Sequence, residues 1–198
     1  MAGRPRTASD DAILDAAQRA IDRHGPAAFT LAHITDEIGL APATLVQRFG
    51  SKRGLILALK ARLPAEVISA FAGIDPELNL SPTDALQRAL QRLVDGVESP
   101  VTMANRLAFL QLDLTDPETH AIAIAHQAEL RNQIRTRLVE ATTAGELVRH
   151  DHTRLAQAIA TAWFGSLTTW SLAGETDLVA WLRRDIETVL APYRSLVG

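Results

Sequence analysis

The 198-residue chain is predicted to be all-α and divided into a small N-terminal unit of short helices and a larger C-terminal helical bundle. Three observations predict this. No stretch alternates strictly between apolar and polar side chains, whereas apolar residues recur at spacings of three and four almost throughout, the period of an amphipathic helix. Ser81-Pro82 and Asp116-Pro117 each set an N-cap residue before a proline at the first helical position, where the missing N–H costs nothing. Charge is also divided: residues 1–62 carry nine basic and six acidic groups for a net +3, and the remainder carries −6. That asymmetry suggests that the small unit faces an anionic partner.

The elements follow in order. Residues 10–24 carry Ile13, Leu14, Ala17 and Ile21 on one side and end at Gly25-Pro26, a pair that caps a helix and cannot continue it. Thr30 then caps a helix of two turns with Leu31, Ile34 and Ile38 inward, closed by Gly39. Pro42 opens a third helix to Phe49, with Leu45 and Phe49 inward and Thr44, Gln47 and Arg48 outward. Ser51 caps a fourth that buries Leu55, Ile56 and Leu59. Pro64 marks a bend between domains 7–64 and 65–198. Further helices are predicted near 82–97, 101–114, 117–144, 152–172 and 177–196. In the longest of these Leu130, Ile134, Leu138 and Ala141 share a face.

Composition excludes several classes of function. Hydrophobic residues at 47% can fill a core, and the absence of cysteine removes disulfides, thiolate zinc sites and thiol redox sensing. Charges at Arg4, Arg6, Asp10 and Asp11 interrupt any secretory signal, so a cytoplasmic location is expected. Residues 155–174 lack charge, but six polar side chains among them favour a helix buried in protein over a membrane span. There is no phosphate-binding glycine loop, nucleophile elbow or zinc-protease motif. No enzyme activity, metal or cofactor is therefore expected.

Two short helices joined by a glycine turn, preceded by one helix and followed by another, match a helix-turn-helix. The third helix would enter the major groove of double-stranded DNA. There Gln47 is suited to adenine, Arg48 to guanine or phosphate, and the methyl groups of Ala43 and Thr44 to thymine. Thr30 and Lys52, at helix N-termini, are suited to phosphate, and Arg4 and Arg6, on an arm, to the minor groove.

The stretch from Asp11 to Leu55 resembles the DNA-binding domain of the TetR (tetracycline repressor) family of bacterial transcription regulators. The matching residues are Ile13-Leu14-Asp15-Ala16-Ala17, Gly25, Phe29-Thr30, Ile34, Ile38-Gly39-Leu40, Ala43-Thr44-Leu45, Phe49 and Ser51-Lys52-Arg53-Gly54-Leu55. The resemblance implies a homodimer on a palindromic operator, usually a repressor, with a variable C-terminal domain that binds a small-molecule effector. Thr35, Ile38, Ala41 and Val46 depart from the family's usual alanine, alanine, serine and tyrosine. The last change removes a phosphate contact, which leaves open a helical ligand-binding protein with weakened DNA binding.

In the C-terminal domain the last two helices carry a wide apolar arc. Leu167, Trp170, Leu178, Trp181, Leu182 and Val189 are expected at a four-helix interface between two subunits. An effector pocket is expected among the preceding helices, with Met103, Leu107, Leu110, Trp163 and Phe164 as walls and Asp113 and His120 as polar anchors.

Overall fold

The computed structural model describes residues 8–74, 76–174 and 177–195. Among them regular structure is helical, with one isolated antiparallel bridge between Leu147 and Arg194. The chain forms two compact units. The first runs to Leu63 and takes in Val101–Ala123; the second holds Pro64–Pro100 and the chain from Ile124 onward. No helix among the described residues is long and apolar enough to cross a membrane.

The first unit starts with α1 (Asp10–Ala28), α2 (Leu31–Ile38), α3 (Pro42–Phe49) and α4 (Lys52–Ala61). Ser9, Thr30 and Ser51 each accept a hydrogen bond from a first-turn amide, and so start α1, α2 and α4 where the sequence places them. Ala41 precedes α3 without a side-chain cap, so only Pro42 pre-sets that helix. Gly39 closes α2 in the left-handed region at φ 68° and turns the chain into α3. Gly54 is required by contact rather than by dihedral. A β-carbon there would stand 2.0 Å from the Phe49 carbonyl oxygen, so only glycine lets the first turn of α4 lie against the end of α3. Ile13, Ala17, Ile21, Phe29, Ile34, Leu45 and Leu55 are buried in one cluster.

Two further helices complete this unit, α7 (Pro100–Leu107) and α8 (Phe109–Thr115), with Phe109 and Leu112 packed against its core. Arg106 grips the Asp22 carboxylate through two nitrogens at 2.8 Å each, and Asn105 donates to the Asp22 carbonyl at 2.9 Å. Lys60 on α4, only 4% exposed, pairs with Asp113 at 2.7 Å and lies 4.8 Å from the Phe109 ring centroid. Arg53 reaches Asp116 and Glu118 at 2.8 and 2.5 Å.

The second unit contains α5 (Leu63–Ala72), α6 (Pro82–Arg92), most of α9 (Pro117–Thr143), α10 (His152–Ala173) and α11 (Leu178–Leu190). The predicted face of α9 is fully buried at Leu130, Ile134, Leu138 and Ala141. Five boundaries differ from the sequence expectation. Helix α1, expected to end at Gly25-Pro26, runs on to Ala28 past a kink where Gly25 takes φ 75°. Helix α5 follows α4 almost directly, because Pro64 stands in its first turn, where proline is tolerated. Helix α6 stops at Arg92, before Gly96 at φ 77°, and the segment expected at 101–114 breaks at Ala108 into α7 and α8. Helix α11 stops at Leu190 because Pro192 can supply no helical N–H, leaving a single 3-10 turn over Ala191–Tyr193.

Candidate nucleic-acid interface

Leu45 on α3 is 1% exposed and Phe49 is half-buried, so these side chains hold the helix to the unit's core. Ala43, Val46 and Gln47 are exposed on its other side and Thr44 is partly so. That edge is short and uncharged. An α-helix about 10–12 Å across fits the B-DNA major groove, about 12 Å wide. The described chain leaves this edge open to such a contact.

The cations around α3 have partners within the unit. Arg48 donates to the Ala8 carbonyl at 2.5 Å and to Asp10 at 3.2 Å, tying α3 to the start of α1. Lys52 donates to the Ala27 carbonyl at 3.1 Å and lies 4.3 Å from the Phe29 ring centroid; burial pushes its ammonium below the ordinary lysine range. A cation at a helix N-terminus opposes the helix dipole, and here the carbonyl end of α1 offsets that cost. Thr30 accepts from the His33 amide while the His33 ring accepts from the Thr30 amide, a reciprocal cap. Arg19 and Arg23 both bind Glu37. Burial works to raise that carboxyl, but the two guanidinium groups outweigh it and hold Glu37 below the usual range. Arg4 and Arg6 lie outside the described residues.

Of the four departures from the family pattern, Thr35 is buried at 4% exposure, and its hydroxyl is satisfied by the Ala32 carbonyl at 3.1 Å. Ile38 packs against the core from a partly buried position. Val46, where a tyrosine is usual, is 47% exposed on the open edge of α3.

The expected effector residues fall in both units. Met103, Leu107, Leu110, Asp113 and His120 belong to the segment that packs with α1 and α4, whereas Trp163 and Phe164 belong to the second unit. Asp113 is not an open anchor, since Lys60 holds its carboxylate, and His120 donates from Nδ1 to the Asp113 carbonyl at 2.8 Å. Met103 is buried, Leu107 is half-buried, and Leu110 is exposed. Trp163 is a core residue, with its indole N–H donated to the Leu90 carbonyl at 3.3 Å, and Phe164 is half-buried. A cleft of about 300 Å³ does occur in the second unit, bordered by Val94, Val97, Glu98, Trp170, Leu178 and Val179 among others. None of the expected effector residues lines it.

The expected interface residues need a similar correction. Leu167, Trp170, Leu178 and Leu182 are 2–5% exposed within the single chain, on faces where α10 and α11 pack on each other and α11 on α6. They belong to the fold of one subunit. Trp181 and Val189 stay partly exposed, with the Arg184 guanidinium 4.4 Å above the Trp181 ring. The sequence reading missed Asp22, Asn105, Arg106 and Lys60. The one available signal was Lys60, a charged residue directly beside the apolar stripe Leu55, Ile56, Leu59.

Residues 13–59 match the family described as bacterial regulatory proteins, tetR family. The chain is 28% identical over 149 residues to the HTH-type transcriptional repressor AcnR of Corynebacterium glutamicum, covering 74% of this chain and 72% of that one. Its fold is shared with a TetR transcription regulator from Haloarcula marismortui, at a TM-score of 0.77 and 18% identity over 94% of this chain and 98% of that one. It is shared also with a TetR family transcriptional regulator from Agrobacterium tumefaciens, at 0.74 and 20% identity over 94% and 97%. The matched residues span most of α1 to α4, the helices that present the open edge of α3, and it is in this region that the chain is similar to the bacterial regulatory proteins of the tetR family.

Proposed function

We propose that the protein is a repressor that binds a palindromic DNA operator as a homodimer and leaves it when a small-molecule effector binds. The observation that carries this reading is the open edge of α3, where Ala43, Val46 and Gln47 are exposed among the described residues while Leu45 anchors the helix from behind. Gln47 is the residue suited to reading adenine; Ala43 and Thr44 supply methyl contacts to thymine, and the amides at the start of α2 beside Thr30 face phosphate. Similarity to a curated repressor supports the direction of regulation.

Pairing of two copies is supported by the outer face of α10. Ala158, Thr161, Gly165, Thr168 and Leu172 are all exposed, uncharged and spaced three and four apart, and Leu172 is 83% exposed. Such a row suits a second helix in close contact. Two copies related by a twofold axis would set their α3 helices about 34–36 Å apart, or a multiple of that. An effector acts only if it prefers the state in which that spacing is lost. Since α7 and α8 are bound to α1 and α4 through Asp22, Lys60 and Arg53, an effector that displaces α7–α8 carries the DNA-binding helices with it.

The engagement of Arg48 and Lys52 with the chain's own carbonyls favours a second reading, a helical ligand-binding protein with weakened DNA affinity. Footprinting on DNA upstream of the protein's own gene separates the two. A protected inverted repeat supports the repressor, and no protection at micromolar protein supports the alternative.

A further inference from the structure

His150 and His152 flank Asp151, the N-cap of α10, and their rings meet edge-on with centroids 4.5 Å apart; the Tyr193 ring lies 5.2 Å from His150. Hydrogen bonds define the tautomers. His150 Nδ1 lies 2.7 Å from the Val148 carbonyl oxygen, which can only accept, so Nδ1 carries the hydrogen and Nε2 holds the lone pair. That Nε2 is buried and has no hydrogen-bond partner among the described residues. Thr142 donates its hydroxyl to the Leu138 carbonyl at 2.9 Å and therefore accepts from His152 Nε2 at 3.1 Å. A second proton on His152 would set a cation against the neighbouring His150 ring.

This cluster lies at a junction. Leu147 pairs with Arg194 in the isolated bridge, the Val148 amide donates to the Tyr193 carbonyl, and the Ser195 amide donates to the Glu146 carbonyl, each at 2.9 Å. The bridge is the link between the α9–α10 loop and the segment after α11.

We propose that His152, packed against His150, forms a pH-sensitive latch: while the His152 ring is neutral the loop holds the C-terminal segment in the bridge, and acidification opens it. The charged groups acting on His152 mostly oppose a second positive charge. Burial, the adjacent His150 and Arg135 on α9 hold its imidazole below the ordinary histidine range, with Asp151 pulling the other way. A group depressed in the folded state contributes its stability above its unfolded value and loses it as pH falls, so the latch is closed at neutral pH and opens in mild acid. The inference stands on this geometry and is independent of DNA binding.

The test uses the full chain and a double variant, His150→Asn and His152→Gln, whose amides can donate to Val148 and Thr142 but do not titrate. Amide protection is compared at pH 7.5 and 5.5 after correction for intrinsic exchange rates. In the wild type, protection at Val148 and Ser195 should fall by about tenfold or more on acidification, while in the variant it should stay within about twofold. The wild-type melting temperature should fall by about 3 °C more than the variant's over the same interval. Equal losses of protection in the two proteins, or no loss in the wild type, would overturn the proposal. If the double variant does not fold, His152→Gln alone serves with the same readout.

Discussion

Gln47 and Arg48 are adjacent on α3, yet the structure gives them different work: Gln47 is free at the edge, and Arg48 fastens α3 to Ala8 and Asp10. Gln47→Ala should therefore weaken operator binding by about 1–3 kcal/mol and relax specificity at one base position, with no change in the folding midpoint. Arg48→Ala should lower the folding midpoint as well as affinity, and urea titration beside a gel-shift assay separates the two effects. Ala41 starts α3 without a side-chain cap, so Ala41→Ser should stabilise the protein by about 1 kcal/mol in urea denaturation. Lys60 is the opposite case. Its ammonium is buried against Asp113, and Lys60→Ala leaves a carboxylate unpaired in the interior, at a cost of about 3 kcal/mol. Replacing both partners by apolar residues, Lys60→Met with Asp113→Leu, should restore most of that loss.

The N-terminal caps were legible because they are local. Thr30, Ser51 and Ser81 each accept from the amide three residues ahead, and nothing distant is needed to see it. The apolar faces were legible too, but their partners were not. Leu167, Trp170, Leu178 and Leu182 show the spacing of a packed face whether the opposing helix comes from the same chain or from a second one. Burial in the single chain assigns them to the subunit core. Two substitutions at the helix scale follow. Leu182→Ala should cost about 2–5 kcal/mol of folding stability at every protein concentration. Gly165→Glu, on the open face of α10 where a β-carbon meets nothing within 4 Å, should leave the fold intact and shift light-scattering mass from dimer to monomer. A concentration-dependent loss for Leu182→Ala, or an unchanged mass for Gly165→Glu, would reverse the assignment of the two faces.

Over the whole molecule, what periodicity could not reveal is the membership of residues 101–123. Their ties to the first unit run through Arg106 to Asp22 and Lys60 to Asp113, pairs separated by 84 and 53 positions, and no local pattern encodes such a match. The effector residues chosen on α7 and α8 were apolar and half-periodic, as a pocket wall or a docked helix would equally be. The exposed edge of α3 was legible because it is carried on one short helix, whose ends are marked by Pro42 and Gly50 and whose anchor is Leu45. The central claim is that this edge reads DNA. Footprinting of the wild type and Gln47→Ala on DNA upstream of the gene tests it most directly. The account predicts a protected inverted repeat for the wild type and weaker protection of the same repeat for the variant. Equal protection by both proteins, or none by the wild type, would contradict it.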